Sequence, residues 1–526
     1  MAEGGGTSYE AVPYDSVAFF DIQPDRMAVA ATLFGLRPPP VADARVLELG
    51  CAGGGNLVPL AVAAPRARFV GVDLSPRQVA DGRALVDRLG LANVALHAMD
   101  LAEIPADFGT FDYILCHGVY SWVPPAVQAR ILAICRDHLA PEGVALVSHN
   151  CLPGWHGRGV VRDLMVYRAR GRDDPAERIA RARSGVDLVA AALPDREAPY
   201  GRGFAEEAAR VRREADSYLL HEHLEAVNEP IHLYEFVERA EVAGLQYLGD
   251  ARPRTLADNQ PPAIAAALDR LGGGFLEREQ HLDFLRNRTF RRSILCHAGV
   301  DLTRPARPDA VRGLRASALA GPVSQRTDIH SEAVEEFRSP DGTASATSTN
   351  PLTKALLLTL FERWPRSVPF DEVARLVHGR LDRPAGPTPV AFDRRPEALA
   401  EALLQCFVGG VVDLHAFEPP LAAEIAERPK ASPLARLQAE TSPRVTNLRH
   451  RVVELGPFDR LVLGLLDGDR DGFALIDGLA EAVADGRFPL VQDGQPVTDG
   501  FKVRQILGRS VDPSLRRLAS SALLLG

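Results

Sequence analysis

The densest chemistry in the sequence lies in VLELGCAGGGNL at 46–57, where an apolar run enters a glycine-rich bend and then a helix beginning near Asn56. Such a bend lets backbone approach a ligand closely and points helix N-terminal amides at it. Gly50, Ala52 and Gly55 alone match only a degraded GxGxxG dinucleotide fingerprint, a weak signal. Three carboxylates sharpen it. Glu48 stands two residues before Gly50, Asp73 closes the next apolar run 23 residues after that glycine, and Asp100 follows a third run within Met99-Asp100-Leu101. An acid ending a second strand can accept from both ribose hydroxyls, and one after a third strand can accept from an adenine amino group. The remaining acid, beside the bend, can face a cationic aminoacyl group, which S-adenosylmethionine carries and a nicotinamide dinucleotide lacks.

These residues need a frame, and the hydrophobic pattern supplies one. Residues 45–49, 68–73, 94–97, 111–116 and 143–148 are short Val-, Ile- and Leu-rich runs that read as buried parallel strands. Helical periodicity fills the gaps, at Pro76 to Leu89 and Ala126 to Leu139. The alternation predicts a doubly wound α/β sheet. Residues 156–230 break it with Arg-, Glu- and Ala-rich helical spacing interrupted by Pro175, Pro194 and Pro199, which reads as a helical insertion. The pattern resumes with a helix at 232–243, a strand LQYLGDA, another helical stretch and a strand at 293–297.

Pro, Gly, Ser and Thr accumulate over 301–350, which reads as a linker carrying a hairpin. Beyond it, helices at 352–363, 370–379 and 396–407 and a strand at 410–415 follow the order of a winged helix, and a helical pair at 457–467 and 473–485 comes after them. The third of these helices sets Glu397 and Glu401 beside only two arginines, too few cations for phosphate neutralisation, so nucleic-acid binding is not expected.

Composition excludes several classes. The 526 residues are 46% hydrophobic and 25% charged, globular proportions with room for three to four domains of roughly 150 residues. A formal charge of −9 does not favour polyanions. Only three of the 60 basic residues are lysine, a bias read as genome composition. The six cysteines form no CxxC pair and no zinc-ribbon spacing, so a reducing cytoplasm is expected and no metal site is read. Neither a signal segment nor a long apolar span is seen, so no membrane partner is expected. HEHLE at 221–225 fails the HExxH zinc pattern because position 225 is glutamate; its histidines read as surface or satisfied interface residues.

Together the bend, the acid ending strand two and the acid after strand three resemble the motifs of class I S-adenosylmethionine-dependent methyltransferases. VLELGCAGGGNL, FVGVDLSPRQVADG, FDYILCHGVYSWVP and NCLPGWHGRGVVRDLM are similar to bacterial methyltransferases that carry a regulatory domain, a group that includes the rickettsial-type protein-lysine methyltransferases. SYLLHEHLEAVNEPIHLYEF, DFLRNRTFRRSILC and VTNLRHRVVELGPFDRLVLGLLDG extend the resemblance over most of the chain. It implies a Rossmann-like α/β methyltransferase core at 1–155 and 231–300, a helical insertion at 156–230 within a regulatory region continuing to about 290, the linker at 301–350 and a winged-helix-like domain at 351–526.

The resemblance also implies roles. Gly50, Ala52 and Gly54 would shape the turn, Glu48 would orient the aminoacyl end, Asp73 with Leu74 would hold the ribose, and Asp100 with Leu101 would frame the adenine. Backbone at Cys116 and His117 would accept the ammonium, and Tyr9 and Tyr14 could close as a lid. Methyl transfer from a sulfonium needs mainly alignment and exclusion of water. A lysine acceptor, with about 0.1% neutral amine at pH 7.5, would gain from an aromatic channel. Tyr120, Trp122, His149, Asn150 and Trp155, which follow strands four and five at the carboxyl edge, are the candidates for it. Protein lysine is the expected acceptor. A small-molecule amine or hydroxyl, and a non-catalytic scaffold keeping the fold, are the alternatives, and the oligomeric state is left open, a dimer included.

Overall fold

The computed structural model describes residues 16–252, 260–383, 392–492 and 494–526. Seven strands, β1 (Arg45–Leu49), β2 (Arg68–Asp73), β3 (Val94–Ala98), β4 (Phe111–Cys116), β5 (Leu139–Asn150), β6 (Leu245–Asp250) and β7 (Phe290–His297), form one sheet in the order β3-β2-β1-β4-β5-β7-β6. β1 to β5 pair in parallel, and β7 lies antiparallel between β5 and β6. The order reverses between β1 and β4, and a sheet of this kind binds ligands outside the carboxyl ends of its strands at that reversal.

Helices α1 (Pro24–Leu33), α2 (Leu57–Ala63), α3 (Pro76–Leu89) and α4 (Pro125–His138) flank the sheet. α3 shows why the sequence folds as it does locally. The Ser75 hydroxyl caps it by accepting from the Gln78 amide, Pro76 occupies its first turn, and Gly90 ends it in a left-handed conformation.

The insertion is four helices, α5 (Trp155–Ala169), α6 (Pro175–Ala192), α7 (Pro199–Arg213) and α8 (Asp216–His223), around a separate apolar cluster that includes Met165, Ile179, Val186, Phe204, Val211 and Leu219. Pro175 and Pro199 open α6 and α7, where a missing N–H costs nothing, so they punctuate the insertion without breaking a helix. The chain returns through α9 (Leu233–Val242), α10 (Pro262–Leu271) and α11 (Phe275–Arg286) to the last two strands. β7 starts three residues before the expected Ser293, because Arg291, which hides the strand pattern, is neutralised on the face of α11 by Asp283 and Glu279.

The stretch 301–350 carries the expected hairpin, as β10 (Glu335–Arg338) against β11 (Ser345–Ser348), but it is no slack connection. It also holds β8 (Arg315–Ser317) and β9 (Gly321–Pro322), and Val311, Leu314, Ala316 and Phe337 are packed into the core. Next come α12 (Pro351–Arg363), β12 (Val368–Pro369), α13 (Phe370–Leu381), α14 (Pro396–Val408) and β13 (Asp413–His415), with β12 and β13 on either side of β8. The chain ends in α15 (Pro433–Thr441), α16 (Pro457–Leu465), α17 (Gly472–Ala484), a short two-stranded ribbon and α18 (Gly500–Ser520).

Polar contacts, most of them buried or half-buried, tie these C-terminal elements to α1. Arg26 and Arg451 each donate to Asp413 at 2.8 Å, and Asp25 accepts from His415 at 2.8 Å and from the amides of Ala416 and Phe417. Among the described residues no helix is long and apolar enough to cross a membrane.

Candidate cofactor and acceptor site

A cavity of about 390 Å3 opens at the carboxyl ends of β1, β2 and β4. Its floor is the glycine bend. Gly50 (φ +74), Ala52 (φ +48) and Gly54 (φ +75) all turn left-handed, and the Gly50 and Cys51 amides both donate to the Val72 carbonyl at the end of β2. A Cβ on Gly50 would meet Val119 at 2.4 Å and one on Gly55 would meet the Ser16 carbonyl at 2.2 Å, so those two positions demand glycine. Ala52 adopts a conformation that costs a residue with a Cβ about 1 kcal/mol or more, and such strain is typical of binding turns.

Glu48, Asp73 and Asp100 line this one hollow. Asp73 accepts from the Ala52 amide at 2.8 Å and from the Ser75 amide at 2.9 Å, pinning the bend to the start of α3. Burial raises its pKa against the pull of those backbone donors. Asp100 is exposed and caps a short turn by accepting from the Ala102 amide at 2.8 Å. Glu48 is 4% exposed, and one carboxylate oxygen accepts from Asn56 Nδ2 at 3.1 Å. The other oxygen has no partner among the described residues. Burial and the nearby Asp73 charge, opposed by the Asn56 donor, push this carboxyl up to about 8.

Two more buried polar atoms in the lining are also unpaired among the described residues, Gln78 Oε1 and His117 Nδ1. The His117 ring is held edge-on between Phe19, at 4.5 Å, and Phe290, at 5.8 Å, and burial with the Arg292 charge brings its pKa down to about 3. A buried polar atom without a partner costs roughly 1–3 kcal/mol. Three around one hollow suit a ligand rich in hydrogen-bonding groups, one of them a cation opposite Glu48.

The positions expected to hold the cofactor converge here. Glu48, Gly50, Ala52, Asp73, Leu74, Asp100, Leu101 and His117 all line the cavity. Gly54 lies inside the bend against Leu96 and shapes it from behind. Tyr9 and Tyr14 fall outside the described residues.

The expected aromatic channel divides. Trp122 lines the cavity, with Trp155 edge-on behind it at 6.1 Å. Tyr120, His149, Asn150 and Trp155 do not line it. His149 stacks on Phe236 of α9 at 4.3 Å and pairs with the Ser293 hydroxyl at 3.1 Å, and Tyr120 packs edge-on to the same phenylalanine. The Asn150 side chain donates to Asn228 at 2.9 Å, while its carbonyl accepts from the Ile231 amide. The end of β5 is thus covered by α9 and by the chain leading into it, which leaves these groups in the interior.

The sequence reading missed the residues that replace them. His221, Glu222 and Glu225 of the HEHLE segment, at the end of α8, form the far wall. Burial pushes Glu222 up to about 7 against the opposing charges of Arg158 and His221. The available signal is a pair of acids, Glu222 in the last turn of α8 and Glu225 just past its end. Among the described residues no cluster of potential ligands could hold a metal ion. Asn56 and Gln78, which carry the polar floor, gave no signal beyond their place after the bend and in the first turn of α3.

Comparison with known proteins agrees with this geometry. Residues 46–143 match the family described as "Methyltransferase domain", 215–297 match "Predicted methyltransferase regulatory domain", and 427–523 match "PKMT, C-terminal winged helix domain". The last match lies C-terminal to the helices at 352–407 whose order suggested a winged helix. An uncharacterised protein of Rickettsia prowazekii, RP789, is 32% identical over 540 residues, which cover all of this chain and 96% of that protein. A second one from that organism, RP028, is 35% identical over 44% of this chain and 94% of its own length.

Among solved structures, PKMT2 from Rickettsia typhi in complex with AdoHcy superimposes with a TM-score of 0.85 at 28% identity, covering 98% of this chain and all of that one. The cofactor is therefore S-adenosylmethionine, and the unpaired Glu48 oxygen, Gln78 Oε1 and the bend fit its donors. The chain belongs to the class I S-adenosylmethionine-dependent methyltransferases that carry a methyltransferase regulatory domain and the PKMT C-terminal winged helix.

Proposed function

We propose that the chain transfers a methyl group to the ε-amine of lysine in a protein. The observation that carries this reading is that the insertion adds Glu222 and Glu225 to the lining of the cavity that Trp122 and the cofactor acids share. An anionic, aromatic entrance suits a cationic side chain and disfavours a carboxylate or phosphate acceptor. The relative named PKMT2 supports the same reading.

In this scheme Asp73 holds the ribose hydroxyls, Asp100 and Leu101 frame the adenine, and Glu48 with backbone at Cys116 and His117 receives the aminoacyl end. Gly50, Ala52 and Gly54 keep the floor close. The cofactor supplies a methyl group already made electrophilic by its sulfonium. The protein must align an amine with it and see that the amine is neutral, since free lysine has a pKa near 10.4. Glu222, whose carboxyl burial pushes up to about 7, takes as the carboxylate the proton that the arriving ammonium gives up, and Trp122 covers the path from water.

The test uses methyl-labelled cofactor and a cell lysate separated into protein and small-molecule fractions. Label is expected in protein, released as methyl-lysine on hydrolysis. Label confined to the small-molecule fraction overturns the lysine assignment in favour of a biosynthetic amine or hydroxyl acceptor.

A further inference from the structure

One contact in the cofactor hollow comes from the far end of the chain. Asn56, the residue that bonds Glu48, is met from the other side by His450, whose Nε2 lies 2.7 Å from Asn56 Oδ1. The amide of Phe19, which can only donate, reaches the same oxygen at 3.2 Å. Oδ1 is therefore the acceptor of both, His450 must carry its proton on Nε2, and the Asn56 Nδ2 group is left to donate to Glu48 at 3.1 Å. The direction of all three bonds follows from that one backbone amide.

His450 is presented with some care. It sits at the tip of a tight turn in a left-handed conformation (φ +60), an uncommon place for a residue with a Cβ. Asn447 holds the turn, its side-chain oxygen accepting from the Arg449 and Arg451 amides at 3.0 and 2.9 Å and its Nδ2 donating to the Ser521 carbonyl. The flanking arginines anchor it, Arg449 on Glu418 and Arg451 on Asp413, each at 2.7 to 2.8 Å. His450 is buried, and desolvation brings its pKa down to about 3, so it stays a neutral, single-tautomer donor across the working pH range.

We infer that His450 is a positioning residue for the cofactor: through Asn56 it fixes the Glu48 carboxylate with one oxygen bound and the other turned to the aminoacyl ammonium, so that the C-terminal module completes the cofactor site. Without the His450 donor, the Asn56 oxygen keeps only the longer Phe19 contact at 3.2 Å, and the side chain that donates to Glu48 is held less firmly in place.

The inference rests on the assignment of Glu48 to the aminoacyl end, and the test separates the two. Dissociation constants are measured by calorimetry on the full chain for S-adenosylhomocysteine and for 5′-methylthioadenosine, which keeps the nucleoside and lacks the aminoacyl group. Glu48→Gln, as the control, must weaken the first ligand and spare the second; if it spares both or weakens both alike, the Glu48 assignment fails.

His450→Asn suits the left-handed backbone but sets its amide too short to reach Asn56, whereas His450→Gln can place an amide N–H near the original Nε2. Expected is a loss of roughly tenfold in S-adenosylhomocysteine affinity for His450→Asn, the upper end of what one buried hydrogen bond contributes, with 5′-methylthioadenosine unchanged and His450→Gln recovering most of the loss. Added to Glu48→Gln, His450→Asn should cost nothing further for either ligand. If Glu48→Gln is selective while His450→Asn leaves both affinities as they were, or lowers both equally, the C-terminal module plays no part in the site and the inference falls.

Discussion

Two buried polar regions lie against the same sheet and differ in a way that separates structure from function. At the β6–β7 edge, Arg291 is fully buried and its donors are all taken: two reach Asp283 at 2.7 Å, one reaches the Tyr247 hydroxyl at 2.8 Å, and the rest meet Glu279. Arg288 bridges Asp283 and Asp250 beside it. In the cofactor hollow, Glu48, Gln78 and His117 each keep a buried atom without a partner among the described residues. A saturated network is finished by the fold. An open one around a cavity is finished by something else.

The largest expected effect breaks the finished region. Arg291→Met strands Glu279 as a buried charge, leaves Asp283 with Arg288 alone, and should cost about 3–5 kcal/mol in unfolding free energy, read by urea titration of the ligand-free protein. Glu48→Gln, in the open region, removes a carboxyl that burial already disfavours and should leave that titration unchanged or slightly more stable. A larger loss from Glu48→Gln than from Arg291→Met would end the distinction.

Glu222 sharpens the comparison, because its wall is neither saturated nor bare. Burial holds it near 7, with Arg158 and His221 pulling the other way. As proton acceptor it works only when ionised, so kcat/KM for a lysine substrate should rise with pH up to about 7 and flatten above. Glu222→Gln should remove that limb and lower kcat/KM on the order of a hundredfold, a modest share of what general bases contribute. An unaltered pH profile would move the proton acceptor elsewhere.

Asp73 comes next in size. It spends both oxygens on backbone amides, at Ala52 and Ser75, and still faces the hollow. Asp73→Ala should weaken cofactor binding by roughly 1–3 kcal/mol through unpaired ribose hydroxyls, measured by calorimetry. An unchanged affinity would reduce Asp73 to a brace for the bend.

The legibility of the two regions in the sequence follows the same division. The bend, its acids and the central strands were readable because each is a local pattern: a strand period, a turn glycine, an acid at a strand end. The start of β7 is hidden because FRRSILC places two arginines in the strand, and only the fold shows Arg291 met by the acids of α11 and Arg292 by Asp21. His149 and Asn150 were misplaced because nothing local says that residues 228–231 return to cover the end of β5. HEHLE fails the zinc pattern, yet its acids line the cavity, which only the return of α8 over the sheet makes visible. The contact between His450 and Asn56 joins residues 394 apart, and no window on the sequence contains both.

The smallest effect tests the open region most directly. Burial pushes the Glu48 carboxyl up to about 8 in the empty hollow, which favours the protonated form at pH 7; an ammonium placed against it favours the carboxylate. Binding must then release a proton, and affinity must rise as pH rises from about 6 toward 7.5, by at most tenfold per pH unit, or about 1.4 kcal/mol. Calorimetry in buffers of different ionisation heat counts that proton. Glu48→Gln has none to release, so its affinity should be lower at neutral pH and flat across the range, while 5′-methylthioadenosine should show no release even with the native residue. Binding without proton release would mean that Glu48 is already ionised in the empty hollow and that its free oxygen has a partner the fold itself provides. The contrast with the Arg291 cluster would then vanish, since both regions would be complete before any ligand arrived.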